Sequence, residues 1–167
     1  MSEDIPNGYK LQHGIAWGSR KPGVLEIKFH TPKKRNVISG QAQMLLARLV
    51  EHAQNDTSIK VIFFHGGTFY TAGNDLSVFL ESSGLSEEEM RLKSSEGLEF
   101  AMCSNLIQVK NSKKPIVALI RGKCVGIGFT TTSHFDFIYC DPNASFMAPF
   151  MASAQSPEGG STYTFVQ

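Results

Sequence analysis

The stretch KKPIVALIRGKCVGIGFTTTSHFDFIYC, residues 113–140, decides the fold. Pro115 opens Ile116-Val-Ala-Leu-Ile120, a short unbroken aliphatic run of the kind a buried strand carries; proline, with no N–H to give a ladder, is tolerated at its first position. The glycine-bearing turn that follows, Arg121-Gly-Lys-Cys-Val-Gly-Ile-Gly-Phe129, leads from strand into helix. At such a helix start the first N–H groups have no partner within the helix and point at whatever lies above them.

Toward the N-terminus the same alternation of strands and helices repeats. Ile15–Trp17 and Gly23–Phe29 alternate apolar and polar residues across the turn Arg20-Lys-Pro-Gly23, which predicts a hairpin. From Ser39, an N-cap residue type, Leu45, Leu46, Leu49, Val50 and Ala53 recur at helical spacing. Ile59–Phe64 reads as a strand after the turn Asn55–Ser58. Ser86 and Glu89 form a capping box opening a long helix whose apolar face carries Leu98, Met102, Leu106 and Val109, ended by Lys113-Lys114-Pro115. Strands alternating with amphipathic helices argue one α/β domain with parallel crossover connections and no internal boundary. The first ten residues and Glu81–Ser86 are expected to be the mobile pieces.

Composition sets the outer limits. The chain has 167 residues, 41% of them hydrophobic, and 16 Lys+Arg against 15 Asp+Glu give a net charge of +1. That balance offers no basic stripe for nucleic acid or an anionic membrane. Three cysteines (Cys103, Cys124, Cys140) without a C-x-x-C suggest neither a zinc site nor a disulfide framework, and hence a reducing compartment. MSEDIPNGYK has no apolar core of a secretory signal, the longest aliphatic run is far too short to span a bilayer, and no peroxisomal S-K-L type address is present.

Two glycine-bearing loops follow strands directly, His65–Leu76 and Arg121–Phe129, which is where α/β folds place ligand sites. Neither is a phosphate loop or a complete dinucleotide fingerprint, and there is no G-x-S-x-G elbow. Side by side, they could form an oxyanion hole from main-chain donors alone; read from spacing only, simple tight turns remain equally open. Glu158, in Ser156-Pro-Glu-Gly-Gly160, reads either as a surface glutamate or as a carboxylate on a loop facing a pocket. Asp75 suits the cap of a helix beginning near Leu76. The five histidines lack metal-ligand spacing, Met44, Met90, Met102, Met147 and Met151 read as core filler, and Lys33-Lys34-Arg35 is a solvated turn that would also suit phosphates.

Four segments then carry a resemblance: TPKKRNVI (31–38), YTAGNDLSVF (70–79), the stretch 113–140, and ASFMAPFMASAQSPEGGSTYTF (144–165). In order and spacing they resemble the crotonase (enoyl-CoA hydratase/isomerase) superfamily, and more narrowly its peroxisomal-type 3,2-trans-enoyl-CoA isomerases. The resemblance implies a spiral of ββα units and an acyl-CoA substrate. It implies that the thioester carbonyl is held by the N–H groups of Ala72 and Ile127. It also implies that Lys34, Asn36 and the segment Ala72, Gly73, Asn74, Asp75, Leu76 lie around the CoA moiety, together with Ile127. Glu158 matches the single catalytic glutamate, which would take a proton at the α carbon and return it at the γ carbon. At the positions where hydratases carry two glutamates this chain has Thr130 and Phe150, which favours isomerisation over hydration.

No cofactor is implied, the substrate itself being a coenzyme A thioester, and no metal. A peroxisomal or mitochondrial setting follows from the resemblance, with a cytosolic one left open by the lack of a targeting signal, and family members form homotrimers. They also continue past SPEGGSTYTF into C-terminal helices that close the acyl pocket. The expectation is therefore a flexible N-terminus over 1–12 and a crotonase-like core over 13–167, short of the C-terminal helical part. The alternative to an isomerase is a catalytically silent fragment of the same fold that binds acyl-CoA or assembles with relatives.

Overall fold

The computed structural model describes residues 5–77, 84, 86–89, 106–153 and 155–166. Its main sheet has six strands: β1 (Lys10–Gln12), β2 (Ile15–Gly18), β3 (Val24–Phe29), β4 (Val61–His65), β5 (Ile116–Ile120) and β7 (Phe137–Cys140), in that spatial order. A second sheet pairs β6 (Lys123–Val125) with β8 (Ser145–Met147). The hairpin of β2 and β3 forms in the register Ile15↔Phe29 to Gly18↔Glu26. From β3 onward every pairing is parallel. Successive strands alternate between the two sheets: β5 lies in the first, β6 in the second, β7 in the first and β8 in the second. Isolated parallel bridges Ile38↔Asn74 and Thr71↔Cys124 extend the second layer toward the earlier units. This is the winding expected of repeated strand–strand–helix units.

The local signals work as their chemistry demands. Helix α1 (Gly40–Asn55) starts at Ser39, whose hydroxyl accepts the Ala42 N–H at 3.1 Å. Its inner face buries Leu46, Leu49, Val50 and Ala53 against Ile15, Ile27, Phe29, Ile62 and Phe64 of the sheet. At its end the Lys114 ammonium donates to the carbonyls of Ala53 and Asp56, groups that the helix itself leaves unbonded. The Ser86 hydroxyl and amide both meet the Glu89 carboxylate, at 2.8 and 2.9 Å, completing the capping box. Leu98 and Met102 lie outside the described residues, while Leu106 and Val109 pack on the core. Among the described residues, the short helices α2 (Ile127–Thr132) and α3 (Ser161–Thr164) follow β6 and β8.

Two expectations about the fold need correction. Residues 10–12 are not a flexible leader: they pair with β2 in the register Lys10↔Trp17 to Gln12↔Ile15, and the Tyr9 ring packs so closely on Gly18 that a Cβ there would come within 2.5 Å. Backbone pairing, not apolar side chains, holds this strand, so no hydrophobic pattern marks it. Met147 and Met151 are not core filler, being 51% and 93% exposed. Among the described residues no helix is long and apolar enough to cross a membrane.

Candidate functional site

Gly126 enters α2 with φ +55°, ψ −127°, and it anchors the turn: its N–H donates to Met147 O (2.9 Å), and its carbonyl accepts from Phe129 N (2.9 Å) and Thr130 N (3.0 Å). The next amide, Ile127, occupies the first helical turn, where no i−4 carbonyl exists to receive it. Its side chain is 2% exposed and fixes the turn to the core. Glycine at 128 is a packing demand as well: a Cβ there would stand 2.0 Å from Thr71 Cγ2. Strand ends and helix start are thus pressed together.

Thr71 ties the first loop to the second. Its amide donates to Lys123 O (3.1 Å), its carbonyl accepts from Val125 N (3.1 Å), its hydroxyl donates to Asn36 O (2.5 Å) and accepts from Gly73 N (3.0 Å). Gly73, at φ +90°, lies against Val125 and Gly126; an added Cβ would meet Val125 O at 3.0 Å and Gly126 Cα at 3.7 Å. Gly73 therefore packs directly on the Val125–Gly126 peptide that leads into α2. Ala72, in contrast, spends its N–H on Arg35 O at 2.9 Å. The amide that the resemblance assigns to the thioester carbonyl is thus engaged by a backbone carbonyl in this structure.

The residues expected around CoA separate into two kinds. Lys34 is exposed on the surface, with Nζ 3.4 Å from Asp75 Oδ2. Asp75 does cap the turn that follows, accepting the Ser77 N–H at 3.1 Å, and its bonds from Ser77, with Lys34 nearby, hold its carboxyl below the usual range. Leu76 is half exposed. Asn36 is 4% exposed and its amide nitrogen donates to Gly66 O (2.9 Å), Phe69 O (2.7 Å) and Tyr70 O (3.3 Å), while its oxygen accepts from Thr31 N (2.8 Å). It is a clamp on the loop's backbone, its side-chain groups all turned to main-chain partners. Asn74 Oδ1 accepts from Gln43 Nε2 at 2.8 Å.

Glu158 is half-buried on the loop before α3, its carbonyl accepting Ser161 N at 3.0 Å. Its carboxylate lies 3.4 Å from the hydroxyl of fully buried Thr130, which also leans on Ile127 O at 3.3 Å. Thr130 lies three residues, about 4.5 Å of helix rise, beyond Ile127, so the carboxylate touches the same short helix that begins with the Ile127 amide. Burial pushes the Glu158 carboxyl up to about 7, the Thr130 hydroxyl opposing. A carboxyl poised there exchanges protons in both directions near neutral pH. Phe150, the second position where hydratases carry a glutamate, is half-buried and brings no ionisable group.

Sequence reasoning missed three participants. Thr71 looked like an ordinary loop residue, and the His134 ring bonds Gly159 O at 2.8 Å with nothing in the spacing to announce it. Gln43 carried a signal: a polar residue, 0% exposed, among the apolar positions of α1. With Phe29, Leu46, Phe64, Ile127 and Phe135 it lines a cavity of about 20 Å³ beneath the α2 start. That is far below the roughly 300 Å³ at which ligand pockets begin, so this cavity belongs to the packing of the loops.

Residues 19–167 match the family model described as "Enoyl-CoA hydratase/isomerase". The chain is 35% identical over 144 residues to human "Enoyl-CoA delta isomerase 2", covering 86% of this chain and 35% of the relative. It is 32% identical over 143 residues to mouse "Enoyl-CoA delta isomerase 3, peroxisomal", covering 86% of this chain and 44% of that one. A solved enoyl-CoA hydratase/isomerase from Pseudoalteromonas atlantica T6c superposes with a TM-score of 0.75 at 25% identity, over 91% of this chain and 56% of the other. The chain thus spans roughly two fifths of the length of these curated relatives.

Proposed function

The chain belongs to the enoyl-CoA hydratase/isomerase family, and on that premise we propose that it moves the double bond of a 3-enoyl-CoA to the conjugated 2-trans position. The observation that carries the reading is Glu158: one carboxyl, raised to about 7, touching Thr130 one helical turn beyond the helix-start amide of Ile127, with threonine and phenylalanine at the two positions where hydratases carry glutamates.

In the first step the Glu158 carboxylate takes the α proton, and the C–H electron pair moves into a dienolate whose negative charge collects on the thioester oxygen. Ile127 N–H meets that charge from a helix start that is packed against Gly73 of the first loop. Loss of one such donor costs roughly 2.7–4 kcal/mol of barrier. In the second step the protonated Glu158 returns its proton to the γ carbon, the α,β double bond forms and the carboxylate is regenerated. One group suffices because it alternates between base and acid. Unsaturated fatty-acid oxidation is the setting such a reaction serves, and the peroxisomal name of the mouse relative supports that compartment.

A second reading draws on a different observation. Phe137, Tyr139, Met151, Tyr163 and Val166 are all more than half exposed, an apolar surface suited to a catalytically silent acyl-CoA-binding or assembly role. Absorbance of the conjugated enoyl thioester, with the product masses measured beside it, separates the two. Offered 3-enoyl-CoA and 2-enoyl-CoA in turn, an isomerase converts the first without change of mass and leaves the second unhydrated. Gain of the mass of water overturns the assignment in favour of hydration. No turnover of either, with CoA thioester still bound, supports the silent reading.

A further inference from the structure

The loop that bears Glu158 touches α2 and the turn after it at two points. Thr130 meets the carboxylate at 3.4 Å, and its side chain also backs Gly159, where φ is +64° and a Cβ would come within 3.0 Å of Thr130 Cβ and Oγ1. Four residues on, His134 Nε2 reaches Gly159 O at 2.8 Å. A carbonyl oxygen only accepts, so the imidazole must carry a proton on Nε2. The His134 backbone is itself fixed, its N–H donating to Thr131 O at 3.1 Å.

We infer that His134 is a positioning residue for Glu158: its ring bond to Gly159 O sets the height of the 157–160 loop over α2 and thereby keeps the carboxyl beside Thr130. The inference rests on the reading of Glu158 as the acid/base. Pro157 and Gly160 are exposed on either side, and two consecutive glycines with positive φ give this loop little stiffness of its own. Without the ring bond the loop lifts, with two separate consequences. The carboxyl loses its alignment on the substrate's α and γ carbons, and it meets water, which removes the burial that raises it to about 7.

The test compares His134→Leu, which fills similar space without a donor, with His134→Gln, which keeps an N–H at similar reach. In the purified protein labelled with carboxyl-¹³C glutamate, the Glu158 resonance is identified as the one missing from Glu158→Gln. Its titration midpoint is expected to fall by roughly one to two units in His134→Leu and to stay near the wild-type value in His134→Gln. In parallel kcat for isomerisation falls roughly 10–100-fold in His134→Leu with KM unchanged, and is restored in His134→Gln. A folded His134→Leu protein with the wild-type midpoint and kcat overturns the inference. If His134→Leu does not fold, His134→Gln decides: a retained midpoint supports the contact, a fallen midpoint in a folded protein overturns it. Absence of turnover in the wild type strikes the reaction assignment, while the carboxyl titration still decides the role of His134.

Discussion

Replacing Glu158 by glutamine should make the protein more stable above neutral pH, not less. A carboxyl whose folded value lies above its unfolded one resists ionisation in the native state. Its contribution to stability is complete below pH 4.5 and is lost as the pH rises through about 7. Each unit of displacement is worth about 1.4 kcal/mol. A rise from 4.5 to about 7 thus makes an ionised Glu158 cost at most about 3.4 kcal/mol, and water at its exposed edge lowers this to about 2. Glutamine keeps the shape and cannot ionise. Urea unfolding of wild type and Glu158→Gln at pH 5 and pH 8 isolates the effect, since all other titrating groups cancel in the difference. The variant is expected to gain about 1.2 kcal/mol on the wild type between the two pH values, the rest of the cost being already present at pH 5. A difference that stays flat within about 0.5 kcal/mol refutes the claim that burial holds this carboxyl up.

Other expectations follow from contacts around the two loops. Gly128→Ala places a Cβ against Thr71 Cγ2 and should destabilise by about 1–3 kcal/mol; Thr71→Ser, which removes that methyl, should recover part of the loss in a double-mutant cycle of unfolding free energies. Asn36→Ala strips the backbone of the 66–70 loop of its buried donor and should cost about 2–4 kcal/mol by thermal or urea unfolding. Lys34→Ala should change stability by less than about 0.5 kcal/mol, because its pairing with Asp75 is exposed, while raising KM for a CoA thioester roughly two- to fivefold in steady-state kinetics.

What the sequence made legible was whatever local chemistry decides. Alternation marked β2 and β3, Ser39 and the Ser86/Glu89 pair marked helix starts, and Pro115 marked the entry to β5. The glycines at 73, 126 and 128 pointed to two loops in close contact, and the packing of Gly73 on Gly126 and of Gly128 on Thr71 shows why no larger residue serves. What stayed hidden depends on groups far apart in the chain. Asn36 bonds carbonyls 30 to 34 positions away, and Gln43 bonds Asn74 across 31. No window of sequence contains both partners. The N–H of Ala72 illustrates the same limit: its partner, Arg35 O, is set by the crossover of the chain and not by the YTAGNDL motif. Likewise β1 is held by backbone pairing alone, and the exposed Met147 and Met151 follow from their place at the outer side of the second sheet and the turn beyond it.

The central claim, that Glu158 alone carries the proton, is tested most directly by the rate of conjugated thioester formation from a 3-enoyl-CoA, followed by absorbance across pH 5 to 9. The account predicts a wild-type kcat/KM that rises with pH to a plateau, with its midpoint near 7, and a loss of at least about 100-fold in Glu158→Gln. Conversion that survives in Glu158→Gln, or a wild-type profile with no inflection near 7, contradicts it.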